Sequence, residues 1–317
     1  MFFMKYNNIV CENFRGSELS ADLWNRIDGL CAKRVNVKSI ADLSARELGN
    51  ADCLLLKLGA SLSEQDIDQM PNLRYVGMLG TGYGGIDTIS AANRGVTVTN
   101  IADYATEAVA EFSFGILLEQ LRDIAAAKKQ AQIGDYSDNF SGSEIKGKKF
   151  AVIGMGNIGA RTAQLAQAFG AEVSYWSRNR KKDIEASGVQ YGELDDLLAS
   201  SDITTLNLAL NPETEGIINT NRTELIKKDA IFINVSPMEL VDFKALTARL
   251  KKQDMVFILD HSDEMTAAQL KTLQPLDNCL VYPAVAYLSG EASRLKQRIY
   301  VENLESFLAG NPTNTVS

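Results

Sequence analysis

Lys149-Phe150-Ala151-Val152-Ile153-Gly154-Met155-Gly156-Asn157-Ile158-Gly159 decides the fold. Lys149 to Ile153 reads as a short buried strand. The glycines follow at once, and Ala160 to Phe169 continues as an Ala-rich helix closed by Gly170. Strand, glycine turn and helix make the first unit of a dinucleotide-binding fold. Gly154 permits the tight turn, Gly156 lets backbone approach a pyrophosphate, and Gly159 lets the helix pack on the strand. The helix start, Asn157 and Ile158 included, then offers N–H groups and partial positive charge to phosphates. A bare G-x-G-x-x-G is weak, and a purely structural glycine turn is the alternative. Here both flanks match.

Outward from this motif, short apolar strands alternate with helical stretches, the α/β pattern. Toward the C-terminus strands are expected at 149–154, 172–176, 203–208, 230–235, 255–260 and 279–282, the content of a doubly wound sheet. Toward the N-terminus they are expected at Asn8–Val10, Arg34–Val37, Cys53–Lys57, Tyr75–Met78 and Val96–Val98, with helical stretches at Ser63–Met70 and Asp87–Asn93. Helices over Thr106–Gln130 and a connector over Gly134–Ser143 lead into the motif. A last helix over Gly290–Leu308 returns to the first half. The expected fold is α/β: two Rossmann-like doubly wound domains with a cleft between them. Residues 1–100 plus 287–317 form a flavodoxin-like substrate domain, and 101–286 the dinucleotide-binding domain.

A chain of 317 residues, 45% hydrophobic and 23% charged, has the composition of a soluble globular protein with a large core. Its formal charge of −8 and lack of a long basic run argue against nucleic acid or an anionic membrane as partner. Four cysteines, Cys11, Cys31, Cys53 and Cys279, show no C-x-x-C spacing. They read as reduced thiols of a cytoplasmic protein, with no metal site. The opening Met1–Tyr6 lacks the pattern of a signal peptide, and no apolar run reaches the ~18 residues of a membrane span.

The cofactor is read from the end of the second strand of the motif's sheet. An Asp or Glu about 20 residues past the glycines usually holds the ribose 2′-OH of NAD. Tyr175-Trp176-Ser177-Arg178 carries no carboxylate there, and Arg180, Lys181 and Lys182 follow. A hydroxyl beside a guanidinium suits a 2′-phosphate. Ser177 and Arg178 therefore favour NADP(H). If these are only solvated surface charges, NAD(H) is equally compatible.

Several segments, in order, resemble the D-isomer-specific 2-hydroxyacid dehydrogenases over nearly the whole chain. They are Leu73–Asp87, with its Gly80-Thr81-Gly82 loop; Arg94–Asn100; Thr106–Glu111; Glu144–Lys148; and Asn211–Gly216. The Ser-Arg pair is similar to that of NADPH-using glyoxylate and hydroxypyruvate reductases. The resemblance implies cofactor contacts at Thr106 and the glycine motif, and at Asp260, which matches an Asp that meets the nicotinamide amide. It also implies a homodimer, with Ala108–Leu121 contributing.

Members of that family bind the substrate with an Arg and move a proton with a His that a Glu orients. In Asn234–Asp242, Pro237 stands where the Arg is expected and Met238 where a Gly is. Met265 falls at the Glu position, and a one-residue slip would restore Glu264. In Tyr282-Pro283-Ala284, Ala284 takes the place of the His. Neither Pro nor Ala supplies charge or a titratable group.

Other residues offer chemistry. His261, the single histidine, follows the strand Val256–Asp260 at an end where ligands bind in such sheets; a structural histidine is the alternative. Tyr83, Tyr282 and Tyr287 are phenols expected near the cleft, and equally packing residues. Lys57 ends a strand beside Gly59-Ala60, placed to meet an anionic substrate or only solvent. Three functions remain open. One is an NADP(H)-dependent oxidoreductase with altered catalytic residues, acting on a small carbonyl, imine or activated alkene. The second is an inactive NADP(H)-binding sensor or assembly protein. The third is an ordinary 2-hydroxyacid dehydrogenase.

Overall fold

The computed structural model describes residues 5–138 and 141–316. Met1–Met4 of the opening, Asn139 and Phe140 of the expected connector, and the final Ser317 lie outside the described residues. The chain forms two compact units. One holds the described residues up to Tyr104 together with those from Gly290 onward; the other is Ala105–Ser289. The divisions expected at 100 and 286 thus fall a few residues later in the chain.

The strands of the first unit are β1 (Tyr6–Glu12), β2 (Cys31–Val37), β3 (Cys53–Lys57), β4 (Tyr75–Leu79) and β5 (Thr97–Thr99). Those of the second are β6 (Lys149–Ile153), β7 (Glu172–Trp176), β8 (Gln190–Tyr191), β9 (Ile203–Leu206), β10 (Ile231–Asn234), β11 (Val256–Leu259) and β12 (Cys279–Val281). β13 (Thr315–Val316) belongs to the first unit again.

The first sheet runs β2-β1-β3-β4-β5-β13, with β13 the antiparallel edge. Its order reverses between β1 and β3. The second runs β8-β7-β6-β9-β10-β11-β12, parallel throughout, and reverses between β6 and β9. At such a reversal the connections leave to opposite faces, and a crevice opens beyond the strands' carboxyl ends.

Parallel strands need apolar residues on both faces. In β3, Cys53 and Leu55 join the cluster of Tyr6, Tyr75 and Tyr300, while Leu54 and Leu56 join that of Ile67 and Met70 on the other face. In β6, Ala151 and Ile153 face Leu198 and Phe232, while Phe150 and Val152 face Phe114 and Leu117. The continuous runs that identified these strands are the two faces superposed in sequence.

Several expectations need correction. β8 and β13 are too short and polar to show as apolar runs. The helices expected over Thr106–Gln130 are Thr106–Arg122 and Ile124–Gln132, the second ending two residues later than expected, and Asp123 separates them in a left-handed conformation at φ 46°. The helix after the glycine turn starts at Asn157, not Ala160. The segment proposed for a two-fold contact spends its apolar side at home: Val109, Phe114, Leu117 and Leu121 are buried in the core of their own unit. No helix among the described residues is long and apolar enough to cross a membrane. All four cysteines are free thiols, three of them buried.

Candidate dinucleotide site

The glycines divide their tasks as their spacing implies. Gly154 directly follows β6 at φ +101°, and a Cβ there would sit 2.5 Å from the Asn207 carbonyl oxygen, at the β6–β9 reversal. A Cβ on Gly159 would sit 1.9 Å from the Gly154 carbonyl oxygen, so the helix lies on the turn with no room for a side chain. Gly156 differs: a Cβ would meet nothing within 4 Å. Its exposed backbone is the N-cap of helix Asn157–Ala168, and no side chain caps that helix. The first N–H groups therefore stay open to an anion.

A second observation supports a ligand here. Buried polar atoms almost always have partners. Three that do not, Asn207 Oδ1, Asn234 Nδ2 and His261 Nδ1, follow or end the adjacent strands β9, β10 and β11 at their carboxyl ends. Asn234 is fully buried, and its Oδ1 accepts from the Ser236 N–H at 2.9 Å, leaving the amide donors unmet. Open turn, uncapped helix and unmet polar atoms along one sheet edge fit a dinucleotide. Asn207 and Asn234 were not among the sequence candidates; an Asn just past a strand carries no distinguishing pattern.

At the end of β7, Ser177 is 8% exposed and its Oγ donates to the Asn179 carbonyl at 2.6 Å. Arg178 is exposed and donates to Glu213 Oε2 at 2.5 Å. A carboxylate thus does reach Arg178, but from the loop after β9, out of sight of a local reading. Arg180 is committed elsewhere. It forks onto Glu185 at 2.9 and 2.6 Å and lies 4.9 Å over the Tyr191 ring, while Tyr175 braces the same Glu185. Of the basic cluster's two arginines, Arg178 alone is paired only across the surface.

Asp260 is 1% exposed. Its carboxylate accepts from the N–H groups of Val285 and Ala286 at 3.0 and 3.3 Å, and burial raises its pKa. His261 takes a left-handed conformation at φ 88°. Its Nε2 is 3.9 Å from Asp260, and its Nδ1 is 3.3 Å from Glu264 but off the direction of a hydrogen bond. Met265 points into the core and Glu264 is exposed beside the histidine, so the only Glu–His proximity here is local. Pro237 leads a single 3-10 turn whose Met238 is buried. The Ala284 N–H donates to Asp263 at 3.1 Å.

The remaining candidates disperse. Tyr282 packs edge-on against Phe112 at 5.8 Å, and burial pushes its phenol pKa up, away from service as an acid. Thr106 opens its helix. In the first unit, Tyr83 packs against the Ile67 cluster, and Lys57 donates to Glu18 at 2.6 Å. The Gly80–Gly82 loop is pinned by Thr81, whose hydroxyl donates to Ile101 O at 2.9 Å and whose carbonyl accepts from Asn100 at 2.7 Å.

A doubly wound sheet with this turn at its reversal defines the class: an α/β protein with a dinucleotide-binding unit. Comparisons narrow it. The profile of the D-isomer specific 2-hydroxyacid dehydrogenase NAD binding domain matches residues 114–286. A hydroxypyruvate reductase of Blautia hydrogenotrophica is 30% identical, over 90% of each chain. A glyoxylate reductase of Aeropyrum pernix is 32% identical, over 84% of this chain and 83% of its own. Among solved structures, an acyclic imino acid reductase in complex with NADPH and D-Arg superposes with a TM-score of 0.81, at 26% identity over 98% of this chain and 100% of its own. The chain belongs to the D-isomer specific 2-hydroxyacid dehydrogenase family.

Proposed function

We propose that this protein is an NADP(H)-dependent oxidoreductase that transfers hydride to a small anionic substrate, best a protonated imine. Gly154, Gly156, Asn157, Ile158 and Gly159 would hold the pyrophosphate, Ser177 and Arg178 the 2′-phosphate, and Asp260 the carboxamide. When bound, the cofactor supplies the hydride.

What carries this reading is the sequence itself, in which Pro237 and Ala284 fall at the positions where the resemblance leads one to expect the family's guanidinium and imidazole. A ketone or aldehyde needs a proton as its oxygen gains charge. An iminium carbon already carries its proton on nitrogen. Hydride addition to R₂C=NHR⁺ gives the neutral amine, and no side chain has to donate. The NADPH-bound structural relative named for imino acid reduction supports that choice. The test is NADPH consumption with glyoxylate or pyruvate, alone and with excess methylamine. Turnover only with the amine is expected.

A second reading, an ordinary 2-keto acid reductase, rests on the names of the reductase relatives. Robust glyoxylate reduction without amine would favour it. No turnover on either, with NADPH bound, would leave a binding protein. The homodimer implied by the resemblance stays part of the proposal, through a surface other than the buried side of helix Thr106–Arg122.

A further inference from the structure

If the family's Arg is gone, the substrate's carboxylate needs another cation. The first unit gathers two at the carboxyl end of its sheet. Helix Gly290–Leu308 runs antiparallel to β4. Near its end, Phe307 lies 6.1 Å from the Tyr6 ring and 5.0 Å from Tyr75, at the amino ends of β1 and β4; further back, Tyr300 donates to Gly77 O at 3.2 Å in mid-strand. Lys296, one turn earlier, therefore stands at the level where β3 ends in Lys57.

The segment carrying Glu18 is tied to the same place. The Ser20 N–H donates to Gln297 Oε1 at 3.0 Å, next to Lys296, and Lys57 donates to Glu18 at 2.6 Å. Lys296 is half-buried. Its ammonium sits 5.5 Å from the centre of the Tyr104 ring, and no hydrogen bond or ion pair engages it among the described residues. A half-buried ammonium that no protein acceptor meets keeps its donors available to an anion. Burial, with the charge of Lys57 adding to it, lowers the Lys296 pKa, while Glu18 partly offsets this. Two lysines against one carboxylate leave a net charge of about +1, which suits a monocarboxylate better than a phosphate ester.

We propose that Lys57 and Lys296, gathered about Glu18, form the anchor for the carboxylate of the substrate. This rests on the reading of the chain as a reductase of small anionic substrates. It adds Lys296 as the principal ligand and Glu18 as the residue that positions Lys57.

The probe is oxamate, a carboxylate that is not reduced, titrated calorimetrically into the full chain saturated with NADPH. Oxamide, of similar shape without charge, is the control. Lys296→Met and Lys57→Met should each weaken oxamate about tenfold or more, the scale of a lost charged hydrogen bond. NADPH affinity and melting temperature should hold, and oxamide should not discriminate among the variants. Two variants are used so that one misfolded protein does not decide the matter. Oxamate affinity within twofold of wild type in a folded Lys296→Met protein would overturn the proposal, as would absence of millimolar oxamate binding by wild type. The readout needs no turnover. Loss of oxamate binding in an enzyme that reduces nothing keeps the anchor and sinks the functional reading; amine-dependent turnover with normal oxamate binding in both variants does the reverse.

Discussion

Replacing Glu213 by Gln is expected to tighten NADPH and leave NADH unchanged. Arg178 is held by the Glu213 carboxylate at 2.5 Å, and the two side chains are 72% and 68% exposed. An ion pair so exposed is worth only about 0.2–1 kcal/mol, since water and salt screen it. A charge-assisted hydrogen bond to a phosphate is worth about 1.5–3 kcal/mol. On these magnitudes the 2′-phosphate is expected to win the guanidinium, with a net preference of about 1–2 kcal/mol, roughly 5–30-fold for NADPH over NADH. Removing the competitor returns the pair's own worth, so Glu213→Gln should tighten NADPH about 1.5–5-fold. Arg178→Ala should weaken it by about 1–3 kcal/mol. Fluorescence titration of both cofactors against all three proteins provides the measurement. Superimposable NADPH and NADH curves for the wild type would refute the reasoning, as would an Arg178→Ala protein that loses both cofactors equally.

Other outcomes follow from the same geometry. Gly159→Ala would drive a Cβ to 1.9 Å from the Gly154 carbonyl oxygen, so the second unit should lose about 2–4 kcal/mol, read as a lower melting temperature. At Gly156 a Cβ meets no protein atom within 4 Å, so Gly156→Ala should lower the melting temperature far less than Gly159→Ala, yet weaken NADPH strongly by filling the path of the pyrophosphate. His261→Ala should keep amine-dependent turnover within about threefold if the iminium brings its own proton; a loss of about 10²–10⁴ would instead make the histidine the donor. Tyr282→Phe should leave turnover unchanged, because its phenol serves packing; a large rate loss would return it to the candidates.

The strand-glycine-helix motif was legible because its parts are contiguous, and each glycine answers to a local contact. The parallel strands were legible for a similar reason: β3 and β6 are apolar on both faces, so burial needs no alternation to be seen. What escaped were pairings made across the fold. Glu213 reaches Arg178 from a different loop, and the unmet Asn207 Oδ1 and Asn234 Nδ2 acquire meaning only when β9 and β10 lie side by side. The apolar side of helix Thr106–Arg122 was ambiguous for a related reason. An apolar stripe tells that something covers it, not whether the cover is the same chain.

The chain path through the two units has a consequence for biosynthesis. The second unit is continuous, Ala105–Ser289, whereas the first is closed only by residues from Gly290 onward. Until those emerge, β5 lacks β13 at its edge, Gly77 lacks the Tyr300 hydroxyl, and the face holding Tyr6 and Tyr75 lies uncovered. A ribosome thus delivers the first unit's sheet early but its covering helix last. The nascent protein carries an open apolar face through the synthesis of the whole nucleotide-binding unit, the interval in which a chaperone is most needed.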